Sequence, residues 1–320
     1  MNPPLAHARD LLVAAPERWD EACFAVPALR ALMASGLGVG VVCRDEQKGF
    51  WETLPGLEVL AFPAKTKPKV AAAAIQGAWQ AALVWEAGFT AEVAKLAHIP
   101  RRLGPNDKKL VKWLTHPLIA KESPLEHRVR FYLSAVDEMG VDTLHPSFFA
   151  PADLGIQAES NAVLLSPDSD FGPSYEWPLA HWLEIARGLL QRGRRVSIAG
   201  MDGGRGLGKS LANSLGEGIE LIQASPLSGA LPLLSARQFL IAADSSLPHL
   251  AAHAGATCIT LFGPNDPVWK RPLGKRHAVV KRHVECAPCL LAKCPLDLRC
   301  QHELETTRVQ AAITERLCTV

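Results

Sequence analysis

The strand, turn and helix of segment 241–255 form an arrangement that can bind phosphate. Its polar residues are Asp244, Ser245, Ser246 and His249. Ser246 is a suitable N-cap, and Pro248 is tolerated in a first helical turn, whose N–H groups lack partners within the helix. Those groups and the positive end of the helix dipole can hold a diphosphate without a lysine. The alternative is an ordinary capped helix, in which the histidine serves only capping or core packing.

A glycine-rich segment, 200–210, also has a spacing that suits phosphate. Gly203 stands five residues before Gly208, which is followed by Lys-Ser as in a P-loop. A P-loop is expected after the first strand of a nucleotide-binding unit, however, and this segment follows the second predicted strand of its half. We therefore favour a loop beside a phosphate site, where Gly203 and Gly204 let the backbone approach a nucleotide, over an NTPase.

Four of the eight cysteines cluster towards the carboxyl end of the chain. They are Cys286, Cys289, Cys294 and Cys300. Four thiolates can bind Zn²⁺ and so hold an irregular loop in place. The spacing is consistent with a structural zinc site, and free thiols or facultative disulfides are the alternatives. A chain of this size with scattered further cysteines is not a disulfide framework.

The composition excludes several functional classes. The 320 residues are 48% hydrophobic and 21% charged, which is typical of a folded protein rather than a disordered or collagen-like one. The net charge of +2 is too balanced for a nucleic-acid binder. Residues 1–7 lack a secretory signal, and the apolar stretch 70–85 is too short to span a bilayer. The sequence predicts a cytoplasmic protein without a nucleic-acid partner.

Short apolar strands alternate with amphipathic helices in both halves, which predicts α/β domains with parallel sheets. The predicted strands are 10–15, 38–43, 57–62 and 82–85, then 162–165, 195–199, 239–243 and 257–262. The predicted helices are 21–35, 179–192, 207–215, 227–235, 247–253 and 303–317. Segment 144–153, with two prolines, is the predicted linker. A ligand is expected in the cleft between the two domains, at the carboxyl ends of the strands.

Several of these segments resemble glycosyltransferase family 9, the lipopolysaccharide heptosyltransferases. Segments 241–255 and 261–267 resemble the family's D-S/T-G-x-x-H turn and its F/Y-G-P loop. Segment 167–178 resembles its P-G-A-x-x-G-P-A-K-R-W-P loop, and the cysteine cluster resembles its C-x-P-C segment. Segment 19–32 resembles its G-D-V…T-P-x-L-R-x-L start. The similarity covers nearly the whole chain, most securely from residue 160 on.

The resemblance implies a GT-B fold, with two doubly wound Rossmann-like domains facing across a cleft. Residues 1–150 would bind the acceptor, and residues 151–320, with the cysteine-rich loop 286–300 and a terminal helix, would bind the nucleotide sugar. The implied reaction is inverting transfer of heptose from ADP-heptose to a hydroxyl of a lipopolysaccharide-core-type acceptor.

The resemblance also implies which residues form the site. The donor-binding residues would be Ser166, Gly172, Tyr175, Gly200, Asp244, Ser245, Ser246 and His249. Counting back from Pro27 without a gap places the family's basic Asp on Glu21, with Asp20 as the alternative general base through a shifted turn. Two solvated acids favoured by a helix dipole would look the same in the sequence.

Three departures from the family pattern affect the donor site. Tyr175 stands where the family has a lysine expected to neutralise the donor phosphate, Glu176 replaces a common arginine, and Ser246 replaces a glycine. Either another cation reaches the diphosphate, or the donor differs, or transfer is weak or lost. The candidate cations are Arg205, Lys209, Lys270 and Arg271. The alternative function is a degenerate member that binds a nucleotide sugar or glycan without turnover.

The implied reaction requires no cofactor, since fixed N–H donors can stabilise a departing diphosphate. The expected partners are an ADP-heptose-like donor and an anionic glycolipid acceptor. Basic residues in 65–69 and 101–130 suit a phosphorylated glycolipid, although they equally suit solubility. The expected location is cytoplasmic, with peripheral contact at the inner membrane.

Overall fold

The structure is a computed structural model that describes residues 10–201 and 205–318. The chain forms two compact units, Met1–Ala150 and Pro151–Val320, which we call unit 1 and unit 2. Gly203 and Gly204 of the P-loop-like segment lie outside the described residues. Residues 1–7, for which the sequence predicts no secretory signal, also lie outside them. Within the described residues, no helix is both long and apolar enough to cross a membrane.

Unit 1 contains a parallel six-stranded sheet in the order β3-β2-β1-β4-β5-β6. Its strands are β1 (Leu11–Ala14), β2 (Val39–Arg44), β3 (Glu58–Phe62), β4 (Ala81–Leu83), β5 (Arg101–Pro105) and β6 (His116–Leu118). Its helices are α1 (Trp19–Ala34), α2 (Lys48–Trp51), α3 (Pro68–Ile75), α4 (Phe89–Leu96) and α5 (Val129–Glu138). The four predicted strands and the first helix are confirmed. The sequence does not predict β5 and β6, because they are short and the basic segment 101–130 has no apolar periodicity.

Unit 2 contains a second parallel six-stranded sheet, in the order β12-β11-β10-β7-β8-β9. Its strands are β7 (Glu159–Ser166), β8 (Arg195–Gly200), β9 (Glu220–Gln223), β10 (Arg237–Ala243), β11 (Thr257–Phe262) and β12 (Ala278–Lys281). Its helices are α6 (Leu179–Gln191), α7 (Leu207–Leu215), α8 (Ala230–Ser235), α9 (Ser246–His253), α10 (Pro267–Lys270), α11 (Arg299–His302) and α12 (Thr306–Cys318). The predicted strands and helices are found, and the edge strands β9 and β12 are additional.

Two fully buried tryptophans stand at the centre of the unit 2 core. Trp177 and Trp182 pack edge to face with ring centroids 5.5 Å apart. The Trp177 indole N–H donates to the Leu304 carbonyl oxygen at 2.9 Å, which ties the start of the terminal helical region to the segment before α6. Both rings therefore serve packing within the unit 2 core.

Both sheets are doubly wound, so each has a point where the strand order reverses. In unit 1 this point lies between β1 and β4, and in unit 2 it lies between β7 and β10. Ligands of such sheets bind at the carboxyl ends of the strands beside that point. The predicted α/β class with two Rossmann-like domains is confirmed, and the reversal points select the segments that follow β1 and β7 for inspection.

Candidate functional site

Three consecutive side chains after β7 connect the elements around the reversal point of unit 2. The Asp168 Oδ2 atom accepts hydrogen bonds from the N–H groups of Met201 and Gly208, at 3.1 and 3.2 Å. The Ser169 hydroxyl donates to the Asp244 carbonyl oxygen at 2.6 Å. The Asp170 Oδ1 atom accepts from the Ser246 N–H at 2.8 Å. The loop after β7 thereby binds the end of β8, the start of α7, the end of β10 and the start of α9.

The structure explains why the P-loop-like segment has a glycine at position 208. A Cβ atom at Gly208 would lie 2.7 Å from the Ala199 carbonyl oxygen and 2.9 Å from Asp168 Oδ2. Both distances are far below van der Waals contact, so only glycine fits. The Gly208 N–H that a P-loop would offer to phosphate is already used by Asp168. This contact favours the interpretation as a flanking loop over the NTPase.

The start of α9 differs from the prediction in one respect. Ser245 is the N-cap residue and Ser246 is the first helical residue, so the cap lies one residue earlier than predicted. The reason is tertiary, because the Asp170 carboxylate receives the Ser246 N–H and draws Ser246 into the first turn. Pro248 has no N–H, so this turn offers fewer donors to a ligand than the sequence suggested. Asp244, Ser245 and His249 are all buried at this edge.

Tyr175 and Glu176, which replace the family's basic pair, are both buried. The Tyr175 ring packs edge-on against Phe171, with centroids 5.6 Å apart. The Glu176 Oε2 atom accepts from Arg205 Nε at 2.6 Å, and Oε1 accepts from the backbone N–H groups of Arg205 and Ser169 at 3.0 and 3.2 Å. Glu176 therefore anchors the segment after β8 beside the loop after β7, and Arg205 with it.

Arg205 differs from the other three candidate cations in its surroundings. Lys209 and Arg271 are exposed, and Lys270 is buried with its Nζ 4.8 Å from the Trp269 ring centroid. Arg205 has its Nε on a buried carboxylate while its side chain stays 47% exposed. A guanidinium has five N–H donors, so one edge can be fixed by Glu176 while the other edge binds an anion.

The remaining predicted donor residues lie at the same edge in different roles. Ser166 is the last residue of β7 and is buried, with its hydroxyl 3.6 Å from the Met201 sulfur. Gly200 ends β8. Gly172 has a φ of +119°, and a Cβ atom there would lie 2.6 Å from the Ala292 carbonyl oxygen. Gly172 thus serves close packing against the cysteine-rich loop.

The two acids after β1 in unit 1 are buried and paired, which rules out the alternative of solvated acids. Asp20 accepts from Nε and Nη2 of Arg18, both at 3.0 Å. The Glu21 Oε2 atom accepts from Arg128 Nε and from the Tyr132 hydroxyl, both at 2.7 Å. Burial, and then the Glu21 charge, raise the pKa of Tyr132 well above its usual value, so this phenol stays protonated and donates.

Sequence reasoning missed Asp168, Asp170, Arg128 and Tyr132. Arg128 and Tyr132 belong to the start of α5, more than 100 residues from Glu21, and no local pattern links them. Asp168 and Asp170 stand within a segment that the sequence analysis quoted. A carboxylate on each side of a serine, directly after a buried strand, was the signal that could have found them.

The cysteine cluster does not form the zinc site that its spacing suggested. Within 10–201 and 205–318, no three His, Cys, Asp or Glu side chains are placed to hold a metal ion. Cys300 lies on α11 and turns towards Gly263, where a Cβ atom would lie 3.2 Å from its sulfur. Burial first, and then the charges of Cys289, Cys286 and Cys294, raise the pKa of Cys300 to about 11. As placed, the four residues do not fit a tetrahedral zinc site, and Cys300 packs as a neutral thiol.

The chain is similar to known proteins of one family. The family model for glycosyltransferase family 9 (heptosyltransferase) matches residues 122–299. Lipopolysaccharide heptosyltransferase 2 of Salmonella typhimurium is 26% identical over 135 residues, which are 41% of this chain and 39% of that protein. The chain thus aligns with less than half the length of the curated relatives that it matches.

Two solved structures from E. coli share the fold over nearly their whole length. ADP-heptose lipopolysaccharide heptosyltransferase II has a TM-score of 0.79 at 18% identity, over 97% of this chain and 99% of that one. Heptosyltransferase WaaC with ADP-2-deoxy-2-fluoro heptose has a TM-score of 0.70 at 19% identity, over 96% and 99%. At these identities the likeness shows the fold alone, and it confirms the predicted GT-B class. Because the family model matches more than half of the chain, including the whole carboxyl edge of the unit 2 sheet, this chain belongs to glycosyltransferase family 9.

Proposed function

We propose that the chain is an inverting glycosyltransferase that moves a sugar, heptose from an ADP-heptose-like donor, to a hydroxyl of a lipopolysaccharide-core-type acceptor. The observation that carries the proposal is the family match, since it runs through residues 122–299 and includes the donor edge. The similar curated proteins are heptosyltransferases, which supports this chemistry, and one similar structure holds an ADP-heptose analogue.

The proposed reaction needs a base for the acceptor and stabilisation for the leaving group. A carboxylate takes the proton of the acceptor hydroxyl while its oxygen attacks the anomeric carbon. The bond from that carbon to the diphosphate oxygen breaks, and the nucleoside diphosphate leaves with the electron pair, which inverts the anomeric centre. General base catalysis typically contributes about 10²–10⁴ in rate.

Glu21 is the proposed base in unit 1. Arg128 and Tyr132 both donate to its Oε2 atom, which holds the carboxylate in one orientation. Asp20 is the weaker candidate, because Arg18 engages both of its carboxylate oxygens. The register from Pro27, which matches Glu21 to the family's aspartate, supports the same choice.

Arg205 is the proposed cation for the departing diphosphate in unit 2. It is the candidate whose guanidinium is fixed at the carboxyl edge by a buried acid while remaining half exposed. Asp244, Ser245, Ser246 and His249 would then line the donor site beside it, and the residues of the chain itself would stabilise the leaving group. A fixed cation or donor aimed at developing charge is commonly worth about 2.7–4 kcal/mol.

One observation favours the alternative, a member that binds a nucleotide sugar or glycan without turnover. The Asp170 carboxylate already accepts the Ser246 N–H, at the start of α9 where a diphosphate would bind. A resident negative charge opposes a second anion there. Under this alternative the donor edge would be a structural junction rather than a catalytic one.

The deciding experiment incubates the pure protein with ADP-heptose, and separately with UDP- and GDP-sugars, together with a lipopolysaccharide-core acceptor. Nucleotide release is followed, and ADP binding is measured by calorimetry. Acceptor-dependent release of ADP supports the transferase. ADP binding without release supports the alternative function, and the absence of both with every donor contradicts both proposals.

The proposed partners are the nucleotide-sugar donor and an anionic glycolipid acceptor. Basic residues in 65–69 and 101–130 of unit 1 carry the charge that would suit the acceptor's phosphates. The proposed location is the cytoplasmic side of the inner membrane, where such a glycolipid exposes its sugars. Co-sedimentation with vesicles that contain the acceptor tests this assignment.

A further inference from the structure

A cavity of about 500 Å³ lies at the amino edge of the unit 2 sheet, opposite to the donor edge. We call it the amino-edge cavity. It is lined by Ala158, Gln238, Gly255, Thr257, Lys275, Arg276 and Arg316. Gln238 and Thr257 stand at the starts of β10 and β11, whereas the donor-site residues follow the ends of β7 and β10. The cavity is therefore separate from the proposed transferase site.

The charges around the amino-edge cavity are not neutralised by its own lining, which contains three cations and no acid. In the described part of the chain, Lys275 and Arg276 form no ion pair. Among the residues that the structure describes, Arg316 forms an ion pair with Glu315 alone, at 3.6 Å, and the Glu315 side chain is 70% exposed. The Arg316 Nε atom is buried and has no hydrogen-bond partner in 10–201 and 205–318. A buried donor of this kind calls for an acceptor.

His277 follows Arg276 in the chain and is fixed in place by a backbone hydrogen bond. Its Nδ1 atom accepts the Cys258 N–H at 3.1 Å, so the ring is fixed next to the start of β11. Burial lowers the pKa of His277 to about 4, and the charges of Arg276, Arg316 and Arg271 add to this effect. The pKa of His277 therefore depends on the charge of these arginines as well as on burial.

We propose that the amino-edge cavity binds a phosphate-bearing anion, which is held by Lys275, Arg276 and Arg316. Three like charges facing one cavity repel each other, and an anion between them removes that repulsion. The Thr257 hydroxyl and the Gln238 amide supply neutral donors on the same wall. The volume exceeds that of a phosphate ion and lies within the range of ligand pockets, about 300–1,000 Å³, so the phosphate is expected to be part of a larger molecule.

The test titrates inorganic phosphate into the full chain and follows the His277 ring by NMR. Phosphate is expected to raise the His277 pKa, because it neutralises the nearby cations. Calorimetry of Lys275→Gln/Arg276→Gln is expected to show affinity for phosphate about tenfold or more below that of the native chain. The matched control is Arg187→Gln/Arg192→Gln, on α6 and at its C-cap. It removes two exposed charges from the same unit and is expected to bind phosphate as the native chain does.

The proposal is overturned if chloride moves the His277 signal as phosphate does, or if both double variants bind phosphate alike. Arg316→Gln removes the third cation of the cavity, which belongs to α12. The proposal can therefore still be tested if Lys275→Gln/Arg276→Gln fails to fold. Weaker phosphate binding by Arg316→Gln supports the proposal, and unchanged binding by a folded Arg316→Gln contradicts the three-cation site.

A second arm separates two sources of the phosphate group. Phosphatidylcholine vesicles with and without phosphatidic acid are co-sedimented with the native chain and with Lys275→Gln/Arg276→Gln. Co-sedimentation that requires phosphatidic acid in the vesicles, and that is lost in Lys275→Gln/Arg276→Gln, identifies a lipid headgroup. Phosphate binding that requires Lys275 and Arg276, with no co-sedimentation with either kind of vesicle, identifies a soluble phosphorylated molecule. Failure of the transferase assay would leave this binding test unaffected, since the two sites lie at opposite edges of the sheet.

Discussion

Each unit places a buried glutamate and an arginine at the reversal point of its sheet, and the two pairs differ in the exposure of the arginine. In unit 1 the Glu21–Arg128 distance is 2.7 Å, with the side chains 10% and 12% exposed. In unit 2 the Glu176–Arg205 distance is 2.6 Å, with the glutamate fully buried and the arginine 47% exposed. The acid in unit 1 is held by a buried cation, whereas the cation in unit 2 is held by a buried acid.

This difference indicates which partner of each pair is available for chemistry. In unit 1 Arg128 and the buried Tyr132 both donate to the acid, and we therefore propose the Glu21 carboxylate as the group that serves a substrate. In unit 2 the Glu176 carboxylate accepts hydrogen bonds from the Arg205 side chain and from two backbone N–H groups. Of this pair, only the Arg205 guanidinium is exposed to solvent. An inverting transfer needs one base and one stabiliser of negative charge, and in the proposed function these roles are divided between the two edges.

The largest effect is expected when the unit 1 acid loses its charge. Glu21→Gln removes the proposed base and should lower turnover by about 10²–10⁴, while binding of ADP stays unchanged. Asp20→Asn, the neighbouring control, should have a much smaller effect. If Asp20→Asn abolishes turnover and Glu21→Gln does not, the register is wrong, and if neither matters, the base assignment fails.

Removing the unit 2 cation should have the next largest effect. Arg205→Ala is expected to cost about 2.7–4 kcal/mol of transition-state stabilisation, measured as kcat/KM. Calorimetry should show a larger loss of affinity for ADP than for AMP, since the missing contact is to the terminal phosphate. Arg195→Ala is the matched control, because its pair with Glu159 has the same 2.6 Å length but lies at the opposite edge of the sheet. Equal effects of the two variants would remove Arg205 from the site.

A basic residue at position 175 tests whether Arg205 has taken over the role of the family lysine. In the native background, Tyr175→Lys should leave the rate unchanged or lower it, because it brings a second cation into a buried site that Arg205 already serves. In the Arg205→Ala background, Tyr175→Lys should raise the rate about tenfold above that of Arg205→Ala alone. Acceleration of the native chain by Tyr175→Lys would mean that no cation serves the site and that the protein is a poor catalyst.

Changes at the start of α9 should have the smallest effect. Asp170→Asn removes the resident charge from the Ser246 N–H and should strengthen ADP binding by about 0.3–1 kcal/mol. Ser246→Pro removes that N–H at a first helical position where proline is tolerated, so it should cancel the gain, whereas Ser245→Ala should not. Equal, small effects of the two serine variants on ADP binding by folded protein would exclude the α9 start as part of the diphosphate site.

Local patterns were sufficient for most of the fold. The apolar runs of β1 and β10 and the inner face of α1 are readable because each strand or helix buries its own side chains in a regular period. β5 and β9 lack that signal, since β5 begins with two arginines and β9 is largely exposed at the sheet edge. The start of α9 shows the limit of local prediction, because its N-cap depends on Asp170, 76 residues away.

The amino-acid sequence alone was enough to assign two doubly wound domains, the family, and the segments after β1, β7 and β10, because these features depend on local periodicity and short motifs. Tertiary structure decided the partners, which are Arg128 and Tyr132 for Glu21 and Arg205 for Glu176. Hydrogen bonds and ion pairs act over about 3 Å in space and are indifferent to separation along the chain. Pairs more than 100 residues apart, such as Arg128 with Glu21, therefore become visible only when the chain is folded.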